Sequence, residues 1–193
     1  MKRIAFGESV QGASHKRNET ECQDSMKKVE FEDGSVVLAV ADGHGSKACP
    51  FSKSGSGIAV NVFCKVMQEF YTGYKDDLEL LLTYLNREGD TKVAQAVDEE
   101  WKRRVLIAHT KNKRDVPLTP DGEKDKTEIY KEYGTTLVGL MITPIFLFAF
   151  QIGDGDITYV DDTGVEEVLA ADKILGILQN IFLKNCQADA FCL

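Results

Sequence analysis

Two strongly apolar segments constrain the fold of this chain most, because each of them ends abruptly in aspartate and glycine. Residues 36–43 read VVLAVADG, and residues 145–156 read IFLFAFQIGDGD. A short apolar run that stops at a polar, glycine-bearing corner is typical of a buried β-strand. The two segments therefore predict two buried strands, each of which places a carboxylate at a corner of a rigid sheet.

Further strands are predicted on both sides of a helical middle part. Residues 2–12 read as a loosely alternating strand, and residues 25–42 read as two strands joined by a tight turn at Asp33–Gly34. Residues 135–169 contain three or four strands separated by proline, glycine and aspartate. Strands, then helices, then strands, without a regular βαβ alternation, predict an antiparallel α+β fold.

The middle of the chain changes to a helical period. Apolar residues recur every four positions from Ile58 onward, which predicts a helix that ends near Tyr71. Two more helices are predicted, over about 76–86 and about 91–110. Residues 111–128 are rich in charge and contain two prolines, a composition that predicts an exposed loop.

Composition limits the class of function. The 193 residues carry 31 acidic and 23 basic side chains, a net charge of -8, and no dominant Lys/Arg cluster, which argues against a nucleic-acid surface. The chain shows no signal peptide and no apolar run long enough to cross a membrane, so no membrane association is expected. The five cysteines form no CxxC pair and have no zinc spacing, which favours reduced thiols and a cytoplasmic location.

The two aspartate-glycine corners predict a site for a hard divalent cation. Aspartate supplies carboxylate oxygen, and glycine lets the main chain approach a ligand closely, so the pair suits Mg²⁺ or Mn²⁺. The alternative is that aspartate and glycine simply terminate strands, and for either corner alone the two interpretations are equally supported. A calcium loop of the EF-hand type is excluded, because in a loop that begins at Asp154 the sixth position, where glycine is required, is occupied by Tyr159.

Five motifs together resemble those of the metal-dependent protein phosphatases of type 2C. They are CQDSM at 22–26, VVLAVADGHGS at 36–46, SGSGIAV at 54–60, YGTTLVGLMI at 133–142 and FAFQIGDGDITYV at 148–160. The opening pattern GxSHxxxxxxCQD, residues 12–24, is closest to bacterial members. The resemblance implies an α+β fold, a two-layer antiparallel β-sandwich flanked by helices. It also implies two Mn²⁺ or Mg²⁺ ions, a phosphoprotein substrate, and hydrolysis of phosphoserine or phosphothreonine by a metal-activated water.

The resemblance also assigns roles to individual residues. Asp42 matches the carboxylate that bridges both metal ions, and Gly43 matches the residue whose main-chain carbonyl binds one of them. Asp154 matches an aspartate that binds an additional metal, and Asp24 is expected to bind a metal directly or through a water. His44 matches the proposed general acid that protonates the leaving group; the alternative is an ordinary histidine in a surface turn.

The chain departs from the family pattern in the region that binds substrate phosphate. Gln23 stands where many members have glutamate, and Glu19 stands where members have the arginine that binds phosphate. We expect Arg17 or His15 to take over the binding of substrate phosphate. The corner at 153–156 reads Gly-Asp-Gly-Asp instead of the usual Gly-Asp-Ser-Arg.

The later part of the family domain, which supplies two further metal-binding aspartates, has no match here. After Asp162 the chain contains only Asp172 and Asp189, in neither of the family's sequence contexts. We therefore expect residues 1–176 to form the N-terminal portion of a phosphatase domain with an incomplete site, and residues 177–193 to form an atypical apolar tail. The spacing of the tail's apolar residues fits one face of a short helix; they are Ile174, Leu175, Ile177, Leu178, Ile181, Phe182 and Leu183.

Two other functions remain open from the sequence. One is a catalytically inactive pseudophosphatase that binds phosphoproteins or regulates a partner, and the other is a small-molecule phosphatase. Both would keep the fold, and a pseudophosphatase would lack turnover.

Overall fold

A computed structural model describes residues 4–161, 164–169 and 179–185 of the chain. It contains four helices and seven strands in these residues. In chain order they are α1 (Ala13–Arg17), β1 (Ser25–Glu30), β2 (Val36–Ala41), α2 (Ser52–Tyr74), α3 (Leu78–Lys111), α4 (Lys126–Glu132), β3 (Leu137–Ile142), β4 (Phe146–Ile152), β5 (Ile157–Asp161), β6 (Gly164–Leu169) and β7 (Gln179–Asn185).

The strands form two antiparallel sheets. The larger sheet has five strands in the order β1-β2-β3-β4-β7, and β5 and β6 form a separate two-stranded sheet. Ile157 of β5 packs against Leu147 and Ala149, which lie on the face of β4 turned away from the main core. The predicted α+β class with two antiparallel layers is thereby confirmed, and the second layer has two strands in the described part of the chain.

The main core lies between the larger sheet and helices α2 and α3. Val37, Ala39 and Ala41 alternate along β2 on the face that contacts α2, as period-2 burial requires. Strand β4 is buried on both faces, which explains why its sequence is apolar without alternation. Each large apolar side chain buried in this core contributes roughly 1.5–3 kcal/mol to stability.

Helix α3 corrects the prediction of two separate helices. It is one helix of 34 residues, and the carboxylate of Asp77 caps its first turn by accepting the Leu80 N–H at 3.0 Å. The predicted gap between them, residues 87–90, contains Gly89. In the fold, Gly89 faces Phe148, where an added Cβ would lie 3.4 Å from the ring, an ordinary contact distance. The helix therefore continues through this glycine, packed against the sheet.

Two other predictions are wrong for residues at the ends of the chain. Residues 4–12 form no strand, and Ile4 and Phe6 are 81% and 89% exposed, because this segment does not pair with the edge strand β1. Residues 179–185, which include Ile181, Phe182 and Leu183 of the predicted tail helix, form β7 instead. They pair with β4 from Phe146↔Asn185 to Ile152↔Gln179, because the backbone edge of β4 requires hydrogen-bond partners.

The remaining tail residues of that prediction, together with Asp162, Asp172 and Asp189, lie outside the described residues. The domain boundary at residue 176 stays a prediction. In the described part of the chain, no helix has the length and apolarity that a bilayer crossing requires.

Candidate metal-dependent active site

The candidate site is a row of four residues across one end of the larger sheet. The row is obtained by continuing the registers Ser25↔Ala41, Val40↔Val138 and Leu137↔Ile152 by one or two residues past the strand ends. The bridge between Gly43 and Thr135 shows that the β2–β3 register does continue. The row consists of Asp24, Asp42, Thr136 and Gly153, in that order from β1 to β4. Asp154 follows directly after the last of them.

Asp42 interacts with both of the other predicted carboxylates. Asp24 and Asp154 each lie close enough to Asp42 to disfavour its negative charge. Partial burial raises the pKa of Asp42 most, the proximity of Asp24 and then of Asp154 raises it further, and nearby His44 lowers it. The fold thus holds acidic groups together against their mutual repulsion.

The main chain of Asp42 is fixed by the Gly-Thr-Thr turn before β3. The Asp42 N–H donates to the hydroxyl of Thr136 at 3.0 Å, and the Thr136 N–H donates to the Asp42 carbonyl at 2.8 Å. The hydroxyl of Thr135 also donates to the Asp42 carbonyl, at 2.9 Å. Both threonines belong to the motif at 133–142, and the family resemblance assigned neither of them a role.

The loop after Asp42 is packed tightly against the start of α2. At Gly43 an added Cβ would lie 2.8 Å from the Ser52 carbonyl oxygen and 2.9 Å from the Cβ of Gln23, so only glycine fits. The N–H of Gly45 donates to the Ser52 hydroxyl at 3.2 Å. This close approach keeps the main chain of the predicted ligand Gly43 in one position.

His44 is exposed at the same loop, and its main chain is anchored. Its N–H donates to the carbonyl of Gly134 at 3.1 Å. Its ring packs over Gly134, where an added Cβ would lie 2.6 Å from the ring's Cδ2 atom and 3.0 Å from the Cys49 sulfur. The predicted general acid therefore has a fixed backbone and a ring that solvent and substrate can reach.

The corner that carries Asp154 is fixed by contacts with residues at the ends of β3 and β4. Gly153 has φ +93°, a conformation that favours glycine, and its Cα lies against the side chain of Thr136. The fully buried Gln151 donates from its amide to the carbonyl of Gly155. The two glycines and Gln151 together fix the turn that carries Asp154.

Part of this site lines an open cleft of about 390 Å³, whereas Gly43 and His44 are not among the residues that line it. Its walls include all three predicted carboxylates, the Thr136 side chain and, unexpectedly, Glu8, Ser9 and Val10. The hydroxyl of Ser9 donates to the main-chain carbonyl of Asp24 at 3.4 Å. The sequence predicted a strand over this segment and gave no signal for this wall, because the contact with the cleft arises only from tertiary packing.

The predicted phosphate-binding residues are not at the cleft. His15 and Arg17 belong to α1, both are exposed, and neither lines the cleft in the structure. Gln23 contacts the cleft loop through Gly43 and Gly45. A role for His15 or Arg17 in substrate binding remains a prediction.

The residues present fit a hard divalent cation, although the described side chains do not form a complete set of metal ligands. Within the described ranges, no group of three or more His, Cys, Asp or Glu side chains lies at metal-binding distance. Asp24, Asp42 and Asp154 are nevertheless held close in one cleft, and carboxylate and main-chain oxygen are the ligands that Mg²⁺ and Mn²⁺ prefer. A bound cation would neutralise the repulsion that these carboxylates exert on one another.

Comparison with solved structures finds bacterial phosphatases of low sequence identity. A variant of a bacterial serine phosphatase matches with 11% identity and a TM-score of 0.44, over 86% of this chain and 64% of that chain. Stp1 from Staphylococcus aureus matches with 10% identity and a TM-score of 0.42, over 86% and 66%. The catalytic domain of the phosphatase PstP, in complex with 2 manganese ions, matches with 13% identity and a TM-score of 0.42, over 86% and 67%.

The family assignment rests on the sequence profile, since these structural matches are distant. This chain spans about 64% of the length of the first structure named above. No curated protein matches the sequence significantly. The profile described as "Protein phosphatase 2C" matches residues 11–189, which is most of the chain. The chain belongs to the protein phosphatase 2C family.

Proposed function

We propose that this chain is a metal-dependent protein serine/threonine phosphatase domain that acts on phosphoproteins in the cytoplasm. The observation that carries the proposal is that Asp24, Asp42 and Asp154 line one cleft, with Asp24 and Asp154 both close enough to act on the charge of Asp42. Family membership supplies the reaction class, the hydrolysis of phosphate monoesters. The manganese ions of PstP make Mn²⁺ the first metal to test.

In this proposal Asp42, Asp154 and the Gly43 carbonyl hold Mn²⁺ or Mg²⁺, and Asp24 binds beside them. When bound, the metal lowers the pKa of a water nucleophile and stabilises charge on the phosphate. His44, exposed in the loop that follows Asp42, donates a proton to the serine or threonine oxygen as the ester bond breaks. Arg17 and His15 are exposed on α1, where they are available to bind substrate phosphate.

Calorimetric titration of the metal-free chain with Mn²⁺ tests the metal site. We expect a binding event that Asp42→Ala abolishes, because Asp42 is the central carboxylate of the group. Asp98→Ala is the matched control, since it removes a carboxylate from α3, where Asp98 pairs with Lys102. Unchanged Mn²⁺ binding by the Asp42 variant would disprove the site.

Turnover is tested with p-nitrophenyl phosphate and with a phosphoserine peptide. Because the site is expected to be incomplete in this chain, turnover should be slow; any hydrolysis should require added Mn²⁺ and be lost in Asp42→Asn. Turnover that persists in a metal chelator would refute the proposed chemistry. Binding of Mn²⁺ and phosphopeptide without turnover would instead establish the non-catalytic alternative.

A further inference from the structure

We propose that Thr136 is the positioning residue that sets the distance between the two acidic corners of the metal site. It lies between Asp42 and Gly153 in the cross-strand row, and it touches both. The inference rests on the proposed function, since it concerns how the chain holds metal ligands. Thr136 itself is not assigned as a ligand.

The polar side of Thr136 fixes the Asp42 corner. The Thr136 hydroxyl accepts the Asp42 N–H at 3.0 Å, and the main-chain N–H of the same threonine returns a hydrogen bond to the Asp42 carbonyl at 2.8 Å. The side-chain hydroxyl thus provides the acceptor for a backbone donor at the point where β2 ends. Without it, that donor is left without its partner in the structure.

The apolar side of Thr136 fixes the Asp154 corner. An added Cβ on Gly153 would lie 2.8 Å from the methyl carbon of Thr136 and 3.0 Å from its Cβ. Gly153, in its φ +93° conformation, is therefore seated directly on the threonine side chain. The turn that carries Asp154 begins at this contact.

One side chain therefore links two ligand-bearing corners that are two strands apart, a backbone separation of about 10 Å. Metal sites tolerate errors of only about 0.2 Å in ligand distance, so the link has a direct effect on affinity. Residues that orient metal ligands typically change metal affinity by about 10- to 100-fold when replaced. We expect the same range here.

The hydroxyl and the methyl group of Thr136 can be removed in separate variants. Thr136→Val keeps the shape and the contact with Gly153 but loses the acceptor for Asp42. Thr136→Ser keeps the acceptor and loses the methyl contact. Thr143→Val is the matched control: it makes the same change in a buried threonine at the opposite end of the β3–β4 hairpin, where the hydroxyl accepts the Phe146 N–H at 3.0 Å.

The experiment measures Mn²⁺ affinity by calorimetry, thermal stability, and hydrogen exchange of the Asp42 amide in the metal-free chain. We expect Thr136→Val to weaken Mn²⁺ binding by about 10-fold or more and to speed exchange at Asp42. Thr136→Ser is expected to keep the slow exchange and to bind Mn²⁺ with intermediate affinity. Thr143→Val should lose at least as much thermal stability as Thr136→Val, because the buried Thr143 hydroxyl bonds to Ile145 and Phe146, while binding Mn²⁺ normally.

The outcomes separate this inference from the proposed function. If the wild-type chain binds Mn²⁺ and Thr136→Val binds it equally well, Thr136 is only a structural residue and the inference is overturned. It is also overturned if Thr143→Val weakens binding as much as Thr136→Val. A wild-type chain that binds no Mn²⁺ overturns the proposed function first, and this inference with it.

Discussion

Replacing the central carboxylate should stabilise the metal-free protein, although it destroys the proposed metal site. The pKa of Asp42 is raised by partial burial, by the close approach of the Asp24 carboxyl, and by repulsion from Asp24 and Asp154. A carboxyl whose pKa is raised in the folded state stabilises the fold only while it is protonated, and this contribution is lost as the pH rises through that pKa. At neutral pH, ionised Asp42 therefore costs stability, and Asp42→Asn removes the cost.

The magnitude follows from the distance between the charges. Directly opposed residues in a sheet have Cβ atoms about 5 Å apart, and two unit charges at that separation in a water-like dielectric repel by about 1 kcal/mol. Asp42 is exposed, so this solvent-screened value applies. For a chain of this length a gain of about 1 kcal/mol raises Tm by about 2–4 °C. In Asp42→Asn, the side-chain amide can also donate a hydrogen bond to the Asp24 carboxylate at every pH.

Adding Mn²⁺ should reverse which of the two proteins, wild type or Asp42→Asn, is the more stable. At a free Mn²⁺ concentration about 100 times Kd, the wild-type chain gains about 2.7 kcal/mol, whereas a variant that does not bind gains nothing. The wild type is then the more stable by about 1–2 kcal/mol. The same substitution thus raises Tm in chelator and lowers it, relative to wild type, in Mn²⁺.

Thermal unfolding at low ionic strength, in chelator and in Mn²⁺, measures both effects. In chelator the difference in Tm between wild type and Asp42→Asn should shrink as the pH falls through the raised pKa of Asp42, because the wild-type carboxyl then becomes neutral. Asp98→Asn on α3 is the control for the change in net charge, and it should gain no stability. The reasoning is refuted if Asp42→Asn is less stable than wild type in chelator, or if Mn²⁺ stabilises both proteins equally.

Three other substitutions test separate parts of the structure. His44→Gln should slow hydrolysis of a phosphoserine peptide far more than that of p-nitrophenyl phosphate, since nitrophenolate leaves without a proton; equal losses on both substrates would count against His44 as the acid. Glu100→Gln should cost about 1 kcal/mol at neutral pH, because basic neighbours on α2 and α3 hold the pKa of that carboxyl far below its usual 4.5. In urea titrations this loss should fade as the pH drops below 4.5. Gly139→Ala should cost about 1–3 kcal/mol, because the new Cβ would lie 2.3 Å from the Phe63 ring; Gly73→Ala, with open space around it, should cost nothing.

The sequence alone determined the strands that end in the site and the chemistry of their last residues. Apolar runs bounded by turn residues are local signals, so β2, β4 and the Asp33–Gly34 turn could be predicted from them. The order of the five motifs identified the family. It also named Asp24, Asp42 and Asp154, which the structure does bring to one cleft.

Tertiary structure decided the features that depend on distant partners. Gly89 reads as a helix break until Phe148 is known to pack against it, and 179–185 read as a helix until β4 offers an unpaired edge. Likewise, nothing local distinguishes Thr136 from any other threonine beside a strand. Its place between Asp42 and Gly153 requires β3 to pair both with β4 and with β2, which is far away in the sequence, and such pairing exists only once the sheet has formed.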